Sequence, residues 1–257
     1  MPADTPEGKF FRRLETLDTT TVIPFLLALL DEIGTIDDKP AFHIVLRDLE
    51  SFLVRRMICG LTTKAYNHIF TGLLAQIKDK RSLSADTVRT YLLKNSDESN
   101  KWPDDLEFKK SWCLTPLYNS LRRDRLRMVL EAVNEASHSE RSEKIDLKNK
   151  LEVEHLMPRK WEDHWPLPST ETKEEGAKTR DYLVHTIGNL TLLTKKLNAS
   201  ISNGPWSGKR PEILKHSAIS LNRHFSDEEM KVWDEKRVIE RAGKLFQIAT
   251  TIWPRPS

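Results

Sequence analysis

Cysteine is scarce. Cys59 and Cys113 are the only two in 257 residues and form no CxxC pair, so neither a disulfide-scaffolded secreted fold nor a structural zinc knuckle is supported. Long apolar runs are also missing: the longest, VIPFLLALL from Val22 to Leu30, contains a proline and falls well short of the roughly 20 residues a membrane span needs. The opening MPADTPEGKFF lacks the basic-then-apolar order of a secretory signal, and a cytoplasmic protein without a membrane partner is expected. No GxxxxGK[ST] phosphate loop, no HExxH or HxxEH zinc-protease pair and no GxSxG nucleophile elbow occurs. Neither sign of charge dominates. A net charge of +3 does not by itself announce a nucleic-acid binder, while 38% hydrophobic and 31% charged residues suit a soluble chain long enough to bury a real core.

What is present reads first as helix. TVIPFLLALLDEIG shows apolar periodicity and stops at Gly34; AFHIVLRDLESFLVRRMICG repeats apolar residues at helical spacing and stops at Gly60. KAYNHIFTGLLAQIK and SADTVRTYLLKN follow, the latter with Ser84 as N-cap, and one further helical stretch carries Trp112 through Leu130. Near Ser137 the chain turns polar (ASHSERSEKIDLKNK), which marks a boundary between residues 1–136, a helical scaffold, and residues 137–257. The closing stretch from Ser226 is expected to be one core helix, with Ser226 and Glu229 at capping-box spacing and Met230, Trp233, Leu245, Ala249 and Ile252 on one stripe.

Two short apolar runs in the second region break the helical pattern. LEVEHLMP alternates like a strand and delivers His155 at its end. TIGNLTLLT supplies a second strand over residues 189–193, after which Thr194 can cap a helix carrying Asn198. Strand, strand and helix of this kind make a compact ββα unit, so the fold expected is mainly α with a ββα unit embedded in helices. Its chemistry suits phosphodiester cleavage. An imidazole near neutral pKa can take a proton from water. A hard divalent cation wants oxygen ligands, which Glu154 and the Asn198 amide can supply. Between Lys195 and Arg223 the chain holds Lys195, Lys196, Lys209, Arg210, Lys215 and Arg223 against one carboxylate, Glu212, a patch that is either a solvated face or a phosphate track. Within it Lys209 or Arg210 could hold a phosphate oxygen.

The motifs VEHLMP, IGNLTLLTKKLN and WSGKR resemble those of HNH (His-Me finger) nucleases. They are most similar to the nuclease region at the C-terminus of GmrSD-type modification-dependent restriction enzymes. The closing IWP segment and the upstream LESFLVRRMICGLTTKAYNHIF resemble that subfamily too. The resemblance implies His155 as general base, Asn198 as metal ligand, and Asn189 as the middle asparagine of the catalytic set, bracing the loop or orienting the histidine. It puts Glu154 where many such enzymes carry a metal-binding aspartate, and Lys209 at a basic position in contact with phosphate. Lys195, Lys196 and Arg210 join Lys209 as expected DNA contacts. One Mg²⁺ or Mn²⁺ per site is implied, with DNA as partner and a role in defence against foreign DNA. Relatives commonly carry an upstream nucleotide-hydrolysing sensor domain, so this chain is expected to be either a stand-alone nuclease or, the favoured reading, the fragment that follows such a domain.

Other histidines carry weaker signals. His185 is expected to pack or to cap the preceding helix, with a place near the site as the alternative, and His164, between Trp161 and Trp165, to sit in a packed aromatic loop, with base stacking as the alternative. LRRDRLR (Leu121–Arg127) is either an extension of a DNA track or a solvated face in which Asp124 pairs locally. Arg55 and Arg56 are expected to pair with the acidic N-terminal region. A catalytically silent DNA-binding module and a helical docking domain are the rival readings.

Overall fold

The computed structural model describes residues 4–35, 39–80, 84–137, 151–167, 172–201 and 203–256. It is mainly helical, with one two-stranded antiparallel sheet among the described residues, and it divides into two compact units. One comprises residues 1–108 with 253–257, the other residues 109–252.

The first unit is all helix: α1 (Pro6–Leu17), α2 (Ile23–Thr35), α3 (Lys39–Ile58), α4 (Tyr66–Lys80) and α5 (Ala85–Lys94). Local chemistry sets several ends. Ser84 accepts a hydrogen bond from the Thr87 amide and caps α5. Gly60 closes α3 at φ 66°, a left-handed conformation that glycine adopts without a Cβ penalty; its amide donates to Met57 O and that of Leu61 to Arg56 O. Arg55 and Arg56 are fully buried and do not pair with the N-terminal acids. Arg55 donates to the carbonyls of Trp253 and Pro103 and pairs with Asp105 at 2.7 Å, while Arg56 donates to the carbonyls of Lys101, Thr62 and Ser99. A guanidinium offers five donors, so a buried one is best satisfied where several backbone carbonyls converge, and the chain between residues 95 and 104 supplies three of the five that Arg55 and Arg56 use.

The division falls within α6 (Asp105–Leu114), whereas the sequence placed its boundary after residue 136; residues 138–150, where most of that polar stretch lies, are outside the described residues. The second unit continues with α7 (Leu117–Ser120) and α8 (Arg123–Ala136). The single helix expected over Trp112–Leu130 is therefore three. Pro116 lacks an amide hydrogen and disfavours helical backbone at Thr115, which separates α6 from α7. Strand β1 (Leu151–His155) and strand β2 (Leu190–Thr194) follow, with α9 (Lys173–Leu183) between them. They pair with His155 opposite Leu190 and Leu151 opposite Thr194. Helix α10 (Lys195–Ile201) leaves β2 directly, and the Thr194 hydroxyl accepts from the Leu197 amide. The ββα arrangement read from the sequence is thus present as β1, β2 and α10.

The unit closes with α11 (Trp206–His216), two 3₁₀ segments (Ser220–Ser226 and Glu228–Lys231) and α12 (Glu235–Ile252). The expected capping box at Ser226 does not form. Ser226 donates to Arg223 O, and α12 begins nine residues later, with Asp234 accepting from the Arg237 amide. Trp206, Phe225 and Trp233 pack ring against ring beneath the sheet, with Leu193, Leu197 and Val238 in the same core.

Candidate active site

Strand alternation sends Glu152 and Glu154 to one face of β1 and His155 to the other, and the side-chain contacts follow that division. On the carboxylate face, Asn198 Nδ2 donates to Glu152 Oε2 at 3.1 Å, and Lys209 Nζ lies 3.2 Å from Glu154 Oε1 and 2.9 Å from the His155 carbonyl. Lys209 was expected at the substrate phosphate, yet it is 1% exposed. Its ammonium is a fixed internal counter-charge that ties α11 to the end of β1. Burial lowers the Lys209 pKa and raises that of Glu154, each partly offset by the other's charge. Arg210, expected at DNA, donates to the carbonyls of Phe225, Ser226 and Asp227, which fixes the following 3₁₀ segment. Lys195 and Lys196 are exposed at the start of α10.

On the other face, His155 is 5% exposed, and its Nε2 lies 3.4 Å from Nδ1 of His185. Tyr118, from α7, touches both rings: edge-on to His155 at 4.2 Å and stacked on His185 at 5.7 Å between centroids. Its amide also donates to the His185 carbonyl. Burial first, and then His185, Arg159, Lys209 and Arg123, push the His155 pKa down to about 3. Burial, Arg159 and Arg123 lower that of His185 as well. His185 therefore lies against His155 and does not merely finish α9. One hint of this lies in the chain itself, its place just before the IGN turn; Tyr118 carries none, because its contacts depend on a fold that brings residues 118, 155 and 185 together.

The turn that makes this possible is built around Asn189. Fully buried, it uses both side-chain atoms twice: Nδ2 donates to Met157 O (2.8 Å) and Val184 O (2.9 Å), and Oδ1 accepts from the Met157 amide (2.9 Å) and Trp233 Nε1 (3.0 Å). Its carbonyl accepts from the Leu156 amide. Asn189 thus shapes the loop after His155 and has no capacity left for substrate; it is a positioning residue. Gly188 lets the turn approach α12 so closely that a Cβ would lie 2.0 Å from Val238 O. From α12, buried Arg241 donates to the carbonyls of Gly188 (2.8 Å) and Leu190 (2.7 Å), so the closing helix positions the site as well as forming core.

Two neutral histidines, His155 buried and His224 half-buried, tie this unit's stability to pH. His224, like His155, is pushed down to about 3, by burial and then by Arg241. Both take up a proton in the unfolded chain below the usual 6.5 but not in the folded one, so stability is full above pH 6.5 and falls as pH drops. Between pH 7 and pH 5 the loss should be roughly 2 kcal/mol for each histidine. Urea unfolding at both pH values measures it, and His224→Gln should remove about half of the difference; an unchanged pH dependence in that variant would refute the assignment.

Among the described residues no three His, Cys, Asp or Glu side chains converge as a metal-binding group. The oxygen donors that do share a face are Glu152, Glu154 and the Asn198 amide. Two carboxylates and an amide carbonyl form a hard donor set suited to Mg²⁺, which usually binds one or two carboxylates and keeps several waters. No described helix is long and apolar enough to cross a membrane. A family model described as GmrSD restriction endonucleases, C-terminal domain, matches residues 102–248. No curated protein and no solved structure matches the chain.

Proposed function

We propose, starting from a chain that belongs to the family of GmrSD restriction endonuclease C-terminal domains, that it is a metal-dependent DNA endonuclease of the HNH type. Membership gives it a nuclease role of the restriction kind, with DNA as the substrate that role implies. The observation that carries the finer reading is the ββα hairpin and helix, which places the Glu154–His155 pair at a strand end and Asn198 on the helix beside that strand.

In this reading His155 is the general base. With Nε2–H donating to His185 Nδ1, the Nδ1 lone pair, which has no hydrogen-bond partner among the described residues, takes the proton from attacking water. Burial, and after it the cationic surroundings, keep the imidazole unprotonated at neutral pH. Glu154 and Asn198 hold one Mg²⁺ or Mn²⁺, with Glu152 as a further oxygen donor that the sequence reading did not name. When bound, the metal stabilises negative charge on the phosphate and the leaving oxygen. Lys209 keeps the Glu154 carboxylate and the end of β1 in place, Asn189 holds the loop behind His155, and Lys195 and Lys196 meet the DNA backbone. In-line attack on phosphorus that expels the 3′ oxygen leaves 5′-phosphate and 3′-hydroxyl ends.

Relaxation of supercoiled plasmid with and without Mg²⁺ or Mn²⁺ tests the reading. Nicking should require the metal, and Asn198→Ala should raise the Mg²⁺ concentration for half-maximal nicking roughly tenfold or more. A wild-type protein that stays inert with every divalent metal, or an Asn198→Ala variant with an unchanged metal requirement, would count against it.

A further inference from the structure

The basic run on α8 is not uniformly solvated. Arg122 pairs with Asp124 at 2.6 Å, and Arg127 lies 3.9 Å from Glu131. Arg123, between them in sequence, has no carboxylate partner among the described residues. Its guanidinium rests 3.3 Å above the Tyr118 ring centroid and donates to the Tyr118 carbonyl. Tyr118 in turn touches both His155 and His185. Arg159, exposed on the loop that leaves β1, likewise has no ion pair among the described residues, and its charge acts on both imidazoles. Among the described residues Asp181 is the carboxylate that acts on His185, and its Oδ1 also accepts from Trp161 Nε1 at 2.8 Å. Around the imidazole pair the cations thus outnumber the carboxylates among the described residues, and neither Arg123 nor Arg159 is held in an ion pair there.

We propose that Arg123 and Arg159 form a guanidinium clamp that receives the DNA phosphodiester at the His155–His185 edge. This rests on the nuclease reading for the identity of the anion. A guanidinium held against an aromatic ring keeps its outer N–H groups oriented for phosphate, so little ordering is left to occur on binding. The clamp brings the phosphodiester to the end of β1, where His155 follows Glu154 in the chain. It also gives the unpaired positive charge a ligand of matching chemistry.

Binding of a fluorescently labelled DNA duplex by the full chain in EDTA, titrated with salt, tests the clamp without cleavage. Arg123→Gln and Arg159→Gln should each weaken binding roughly fivefold or more and reduce the salt slope by about 1. Arg123→Lys should keep the slope. Arg122→Gln, which removes the same charge from a paired neighbour, should leave both quantities unchanged. Thermal melts identify any variant that fails to fold, and for such a position the lysine substitution carries the comparison. The clamp is overturned if either glutamine variant binds like wild type, if Arg122→Gln weakens binding equally, or if the wild type does not bind DNA. A protein that needs Arg123 and Arg159 to bind DNA yet never nicks with metal keeps the clamp and ends the nuclease reading.

Discussion

Replacing His155 by alanine is expected to lower metal-dependent plasmid nicking about a thousandfold, within the range for removing a positioned general base. DNA binding in EDTA should change far less, because the arginines beside the site are left intact. Two features of the site make the size of the loss informative. The ring is almost fully enclosed by Tyr118, His185 and the end of β1, so no neighbouring imidazole can take its place without rearrangement. A pKa near 3 also means that protonation of His155 should not shape the rate between pH 5 and 8. His155→Gln, which can still donate to His185, separates packing from proton transfer: it should fold like wild type and still fail to cut. Cutting that survives in both variants would place the base elsewhere, with His185 the first residue to test.

The second large effect concerns stability. Asn189→Ala should destabilise the second unit by about 5 kcal/mol, because it strands four buried partners at once: two carbonyls, an amide and the Trp233 indole N–H. Each unsatisfied group costs about 1–3 kcal/mol, and the surrounding core leaves no route for water to replace the lost amide. Urea unfolding followed by tryptophan fluorescence reads this directly, since Trp233 is one of the stranded partners. An aspartate at position 189 should do no better, as its carboxylate would face the carbonyls of Met157 and Val184. A loss under 1 kcal/mol would mean that the turn is held by Arg241 and the Gly188 contact alone.

Several elements were legible from the sequence because their causes are local. Ser84 caps α5 through its own neighbouring amide, Gly60 ends α3 through its backbone freedom, and the alternation in LEVEH with the apolar run NLTLL yields two strands. The ββα order also follows from chain order, which puts Glu154 and His155 at a strand end and Asn198 on the helix that leaves the hairpin. Local signals failed where tertiary partners won. Ser226 and Glu229 have capping-box spacing, but the chain between residues 220 and 231 winds as 3₁₀ segments against the sheet and α11. Lys209 and Arg210 look alike in sequence. Only the packing of α11 decides that one is buried against Glu154 and the other spent on backbone carbonyls.

The sequence by itself determined a mainly helical chain with one hairpin, and which residue types could do phosphodiester chemistry. Periodicity, caps and motif order act over a few residues and survive without the rest of the molecule. The tertiary structure alone decided which charges are available. It set His185 and Tyr118 against His155 across 30 and 37 positions of chain, enclosed Lys209 and left Arg123 without a carboxylate among the described residues. Burial and pairing depend on distances that no spacing along the chain encodes, and they decide whether a cation braces the fold or meets a phosphate.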